Sequence, residues 1–92
     1  MMVRVKFLAN FRDLFGARVM DLDLSPDARL RDLLGELCNS PERRAQILTA
    51  AGEIHPQVVI MKDGTPAQSL GGLEMPLEEG AVIAIFPFLG GG

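Results

Sequence analysis

The 92-residue sequence predicts one α+β domain whose helices cover one face of a sheet. Three observations predict it. Val3, Val5 and Phe7 alternate with Arg4, Lys6 and Leu8, and Met20, Leu22 and Leu24 alternate with Asp21 and Asp23, the two-residue period of half-buried strands. Leu30, Leu33, Leu34, Leu37 and Cys38 recur at the spacing of one helical face. Ala81 to Phe86 is apolar on both faces, which suits a central strand.

In chain order, the first strand opens the sequence. Phe11, Leu14 and Phe15 then mark one short helical turn stopped by Gly16. The second strand, Arg18 to Leu24, forms a hairpin with the first. Ser25-Pro26-Asp27 reads as a helix entry: a capping side chain, a proline tolerated in the first turn and an acid at the positive end of the dipole. Gly35 falls on the polar side of the helix that follows. Ser40-Pro41 opens a second helical piece that buries Ile47, Leu48 and Ala51 and ends near Gly52. Val58-Val59-Ile60-Met61 is a β-branched run, followed by a turn at Asp63-Gly64. Thr65 to Gly80 carries two prolines and Gly71-Gly72 and predicts no long element. Pro87 ends the last strand, leaving a flexible tail over 87–92.

Size and charge narrow the function. A chain this short has an expected radius of gyration of roughly 12 Å and a thin core. The formal charge is −3, and Arg43-Arg44 is the longest basic stretch, so nothing resembles the clustered cations of a nucleic-acid binder. No apolar run approaches the ~20 residues that span a bilayer, no signal-peptide pattern opens the chain, and one cysteine forms no internal disulfide. A cytoplasmic protein with no membrane or nucleic-acid partner is the expectation.

The interior offers no catalyst. Cys38 completes an apolar stripe and reads as a buried thiol, His55 before a proline reads as a solvated loop residue, and Glu78-Glu79 before Gly80 reads as a turn. No metal-ligand spacing or phosphate loop is present. The distinctive feature is the exit, where an apolar strand gives way within two residues of Pro87 to Gly90-Gly91-Gly92. At about 7% glycine per position, three in a row at one specified place has a chance of order 10⁻⁴ to 10⁻³. Glycine has no Cβ, so such a tail is the thinnest peptide that can thread to a second active site, with an unhindered carboxylate at Gly92. Once adenylated, that carboxylate accepts attack by sulfur or by an amine. Extended, the tail from Pro87 reaches roughly 20 Å. From the residues alone, a frayed end or a cloning remnant accounts for it equally well.

Several segments carry a resemblance, in order: Val5-Lys6-Phe7-Leu8-Ala9 with Phe11 to Gly16, Leu30 through Leu37, Gly72-Leu73 with Pro76-Leu77 and Gly80, and Val82 to Pro87 two residues before the glycines. On these, nearly the whole chain resembles the small, sulfur-carrying subunit of molybdopterin synthase, the MoaD type of the MoaD/ThiS ubiquitin-like carriers. The resemblance implies a ubiquitin-like β-grasp fold with a mixed sheet and helices packed on one face. It implies that a ubiquitin-activating-type adenylyltransferase (MoeB type) uses ATP to adenylate Gly92. A persulfide-derived sulfur then makes a thiocarboxylate there, and the large synthase subunit (MoaE type) accepts the tail for molybdenum cofactor biosynthesis. No cofactor or metal would be held stably, and catalysis would lie in the partners of a two-small, two-large heterotetramer.

In that reading Gly90 and Gly91 thread the tail, while Phe86, Pro87, Phe88 and Leu89 dock its root. Phe86 is expected in the core, with Phe88 and Leu89 exposed. The family commonly has proline where Phe88 stands and alanine where Gly90 stands, and its members vary in length over Pro41–Ala51. Two alternatives stay open: a related carrier for thiazole, tRNA thiolation or amino-acid synthesis or a modifier attached to protein lysines, and a ubiquitin-like binding module without tail chemistry.

Overall fold

The computed structural model describes residues 1–88. Five strands form one mixed sheet: β1 (Met2–Phe7), β2 (Val19–Asp23), β3 (Val58–Lys62), β4 (Thr65–Pro66) and β5 (Val82–Pro87), in the order β2-β1-β5-β3-β4. β1 and β5 run parallel and every other pair is antiparallel, so the first and last strands lie side by side inside the sheet. Three helices, α1 (Phe11–Phe15), α2 (Leu30–Leu37) and α3 (Pro41–Ile47), complete the ubiquitin-like β-grasp arrangement, with the helices on one face. The Cα radius of gyration is 12.2 Å.

The strand periodicity predicts the buried row correctly. Val3, Val5 and Phe7 are at most 1% exposed, while Arg4 and Lys6 face away. The α2 stripe packs onto that row, with Leu30, Leu33, Leu34 and Leu37 buried and Cys38 closing the helix. Fully burying one such leucine contributes about 1.5–3 kcal/mol, which is how a thin aliphatic core holds the fold. Phe7 and Phe15 stack with ring centroids 4.4 Å apart, fixing α1 over the end of β1. Gly16 ends α1 at φ +69, a left-handed conformation that an L side chain rarely adopts. Asp63 and Gly64 both take positive φ, as a tight hairpin turn between β3 and β4 requires.

The structure departs from the local reading in three places. Ser25-Pro26-Asp27 closes a turn, with the Ala28 amide donating to the Ser25 carbonyl at 3.0 Å, and α2 begins only at Leu30. The reason is tertiary. The Leu30 amide donates to Met75 and the Leu77 amide to Ala28, which holds Ala28–Leu30 extended against the 75–77 segment. Asp32 then caps the delayed start by accepting from the Arg29 amide at 2.8 Å. Second, α3 stops at Ile47 because Leu48 turns extended to bridge Ile54, leaving Ala51 exposed rather than buried. Its predicted start holds, with Ser40 Oγ accepting from the Arg43 amide. Third, Pro87 is the last residue of β5 and not the first of the tail expected over 87–92. The 65–80 stretch agrees with the expectation of no long element, holding the two-residue β4 and two 3₁₀ turns, Ala67–Leu70 and Gly72–Glu74.

Candidate functional site

β5 positions the exit. It is central because its two edges are both paired, to β1 and to β3, and its backbone is held on each side. The Leu8 amide donates to the Ile85 carbonyl at 3.2 Å, and the Phe88 amide donates to the Gln57 carbonyl at 2.7 Å. The antiparallel ladder with β3 therefore persists one residue past Pro87. Pro87 pairs with Val58 between two hydrogen-bonded positions, so the ladder with β3 asks nothing of its missing N–H. Leu89, Gly90, Gly91 and Gly92 lie outside the described residues, and so does the predicted reactive carboxylate.

The strand divides its side chains by parity. Ile83 and Ile85, 0% exposed, enter the core beside Val5 and Phe7. Val82, Ala84 and Phe86 face the opposite side, where no helix lies, and all three are half-buried. The expectation that Phe86 sits in the core is therefore corrected. It pairs across the sheet with Val59 on the open face, because the helices cover only the Ile83–Ile85 row. Phe88 is 59% exposed, as expected. Of the predicted tail-root group, Phe86, Pro87 and Phe88 are thus brought together at one end of the sheet, and Leu89 is beyond description.

The surroundings are apolar at the centre and ionic at the side. Val59, Met61, Val82, Ala84 and Phe86 form the middle of the open face, with Arg4 and Asp21 paired at 2.9 Å across β1 and β2. The Arg4 guanidinium holds the Asp21 carboxyl below its usual range, chiefly by hydrogen bonding. A cleft of about 300 Å³, lined by Ile54, Pro56, Val58, Ile60, Ala67 and Phe88 among others, flanks the root of the exit and holds no ionisable side chain. A larger depression of about 590 Å³ lies at the end of α3, between Arg44, Leu48, Thr49 and His55, and shares no residue with β5.

The residues set aside in the sequence have structural roles. Cys38 is buried, which raises its thiol pKa and opposes formation of a thiolate. His55 is half-buried rather than solvated: its Nδ1 accepts from the Gln57 amide at 3.1 Å, anchoring the entry to β3. Glu78 bonds Lys62, Glu79 accepts from the Met2 amide, and the Ala81 amide closes the turn onto Glu78. Among the described residues no group of three His, Cys, Asp or Glu side chains is placed to hold a metal, and no helix is long and apolar enough to cross a membrane. Sequence reasoning missed the open-face partners of this row, Val59 opposite Phe86 and Met61 opposite Ala84; the signal was their odd parity against buried Val58 and Ile60.

These features can be set beside known proteins. The chain is 29% identical to small archaeal modifier protein 3 of Haloferax volcanii, over the full length of both. Its fold is similar to that of SAMP1 from Haloferax volcanii, with a TM-score of 0.83, 22% identity and complete coverage of both chains. It is also similar to a putative molybdopterin converting factor, subunit 1, from Pyrococcus furiosus, with a TM-score of 0.74 and 26% identity over 95% of this chain and 97% of that one. The family model described as the ThiS family matches residues 5–92. With a β-grasp sheet whose central strand leads into the terminal glycines, the chain belongs to the ThiS family of the ubiquitin-like sulfur-carrier superfamily.

Proposed function

We propose that this chain is a ubiquitin-like protein modifier whose Gly92 carboxylate is adenylated and then joined to amines of other proteins. The end-to-end likeness to a small archaeal modifier protein carries the reading. The modifier reading is preferred to the molybdopterin-specific assignment, and several of the proteins that share the fold are named as modifiers or Urm1 proteins. Adenylation turns a poor acyl donor into a mixed anhydride. Attack by a lysine amine forms the amide bond and expels AMP. The three terminal glycines leave that carbonyl without side-chain hindrance. The exposed Phe88 and the open-face Phe86 supply an apolar root by which an adenylating enzyme holds the body while it works on the tail.

Delivery of sulfur as a Gly92 thiocarboxylate, with molybdopterin as one product, is the second reading. The likeness to the putative molybdopterin converting factor subunit favours it. Both readings share the adenylate.

The test is to incubate the chain with ATP, an adenylating enzyme of the ubiquitin-activating type and a lysine-bearing target. Residues 63–92 contain no Lys or Arg, so trypsin leaves a long remnant; cleavage after Glu79 leaves residues 80–92 on the target lysine. The expected result is that remnant on lysine, abolished by deleting Gly92 or appending a residue after it, with the thermal midpoint unchanged. An activator that forms the adenylate yet yields only oxygen-to-sulfur exchange when a sulfur donor is added would shift the assignment to the second reading.

A further inference from the structure

We propose that Lys6 is the acceptor through which one copy of this chain is joined to the Gly92 carboxylate of another. This rests on the modifier reading, and adds to it the site at which the protein extends itself.

The argument is one of accessible amines. The sequence holds two lysines, and with the Met1 amino group that makes three candidate nucleophiles. Two of them are engaged. The Met1 ammonium donates to the Leu24 carbonyl at 2.6 Å and to Asp23 Oδ1 at 3.3 Å, stitching β1 to the end of β2. Lys62 has a side chain only 12% exposed, and its Nζ donates to the Pro76 carbonyl at 3.0 Å and to both Glu78 oxygens at 2.7 and 2.9 Å. An amine attacks only as the neutral base, through its lone pair. A lysine whose three donors are all in use, on a side chain this buried, must break those charge-assisted bonds before its nitrogen can reach an acyl carbon.

Lys6 differs in each respect. It is exposed near the end of β1, on the face that no helix covers, and among the described residues its side chain makes no hydrogen bond or ion pair. Its cross-strand neighbours are Val19 and Ala84, neither of which carries a charge. The nearby carboxylate of Asp21 is already taken by Arg4. The small Ala84 beside it leaves room for a slender glycine tail to approach along the sheet.

The step balances without further reagents than ATP. The neutral Nζ attacks the carbonyl carbon of the second copy's acyl-adenylate, a C–N bond forms, the bond to the AMP oxygen breaks, and the amine proton passes to solvent.

The experiment uses wild-type chain as donor, with ATP and an adenylating enzyme. The acceptor is isotope-labelled chain with its C-terminal carboxylate amidated, which cannot itself be adenylated. A lysine-bearing target is present in the same tube. The expected product is labelled acceptor carrying residues 80–92 on Lys6. A Lys6→Arg acceptor should be linked about tenfold less or worse, while a Lys62→Arg acceptor is linked like the unsubstituted one. Linkage at Lys62 or Met1, or an unchanged yield with the Lys6→Arg acceptor, overturns the proposal. So does a donor that modifies the target but never the acceptor, or that yields only a monomer lighter by one water. A donor that modifies nothing overturns the modifier reading itself. A second readout needs no enzyme: limiting acetylation of the intact chain should modify Lys6 about tenfold faster than Lys62, and equal rates would remove the basis of the inference.

Discussion

The two faces of the sheet use the same strands for opposite ends. On the covered face, Val3, Val5, Phe7, Ile83 and Ile85 meet the leucines of α2, and every one is nearly inaccessible. On the open face, Arg4 and Lys6 share a surface with Val59, Val82, Ala84 and Phe86, and among the described residues no helix lies over them. β5 contributes to both by alternation alone. One row of a single strand can therefore be committed to stability while its neighbouring row stays available for recognition, and a substitution can address either without the other.

Three outcomes break or sharpen that contrast. The largest is in the covered row. Ile85→Ala should cost about 3 kcal/mol, read as a lower urea midpoint at constant slope, because the cavity lies where strand and helix are both fixed. A loss below about 1 kcal/mol would show that the two rows are not distinct in packing. Next is the open row. Phe86→Ala should cost about 1 kcal/mol of stability, since the ring is only half-buried. It should nevertheless slow adenylation of Gly92 by about tenfold if this face docks the activating enzyme. Unchanged adenylation would confine docking to the tail.

The smallest outcome concerns Asp21. Its folded carboxyl is depressed by the hydrogen bond from Arg4, so the contribution it makes is present above the ordinary carboxylate range and is lost as pH falls through the lower folded value. Both partners are solvent-exposed, so the thermal midpoint should not respond to Arg4→Ala at neutral pH and moderate salt. The NMR titration midpoint of Asp21 should rise toward the ordinary range in that variant.

Much of the fold was legible locally. The alternation of β1 and β2, the α2 stripe, the Ser40 cap and the Asp63-Gly64 turn each depend on residues close in sequence, and each forms where the pattern places it. The misreadings share one cause. Ser25-Pro26-Asp27 carries helix-start chemistry, but Ala28 to Leu30 is claimed by the segment around Pro76, far along the chain. α3 is cut short by the Leu48–Ile54 bridge in the same way. The candidate site was harder still. Val82, Ala84 and Phe86 form one apolar row and Ile83 and Ile85 another, and nothing within β5 says which row the helices cover.

The sequence by itself determined the α+β class, the identity of the amphipathic elements and the glycine-rich exit after an apolar strand, because those are properties of side-chain type and spacing. Tertiary structure alone decided that Phe86 faces outward, that Lys62 is tied to Glu78 and that Lys6 is exposed on the open face. The physical reason is register: the alignment of Val5 with Ile83 and of Val59 with Phe86 couples residues far apart in the chain, and it alone assigns each row a face.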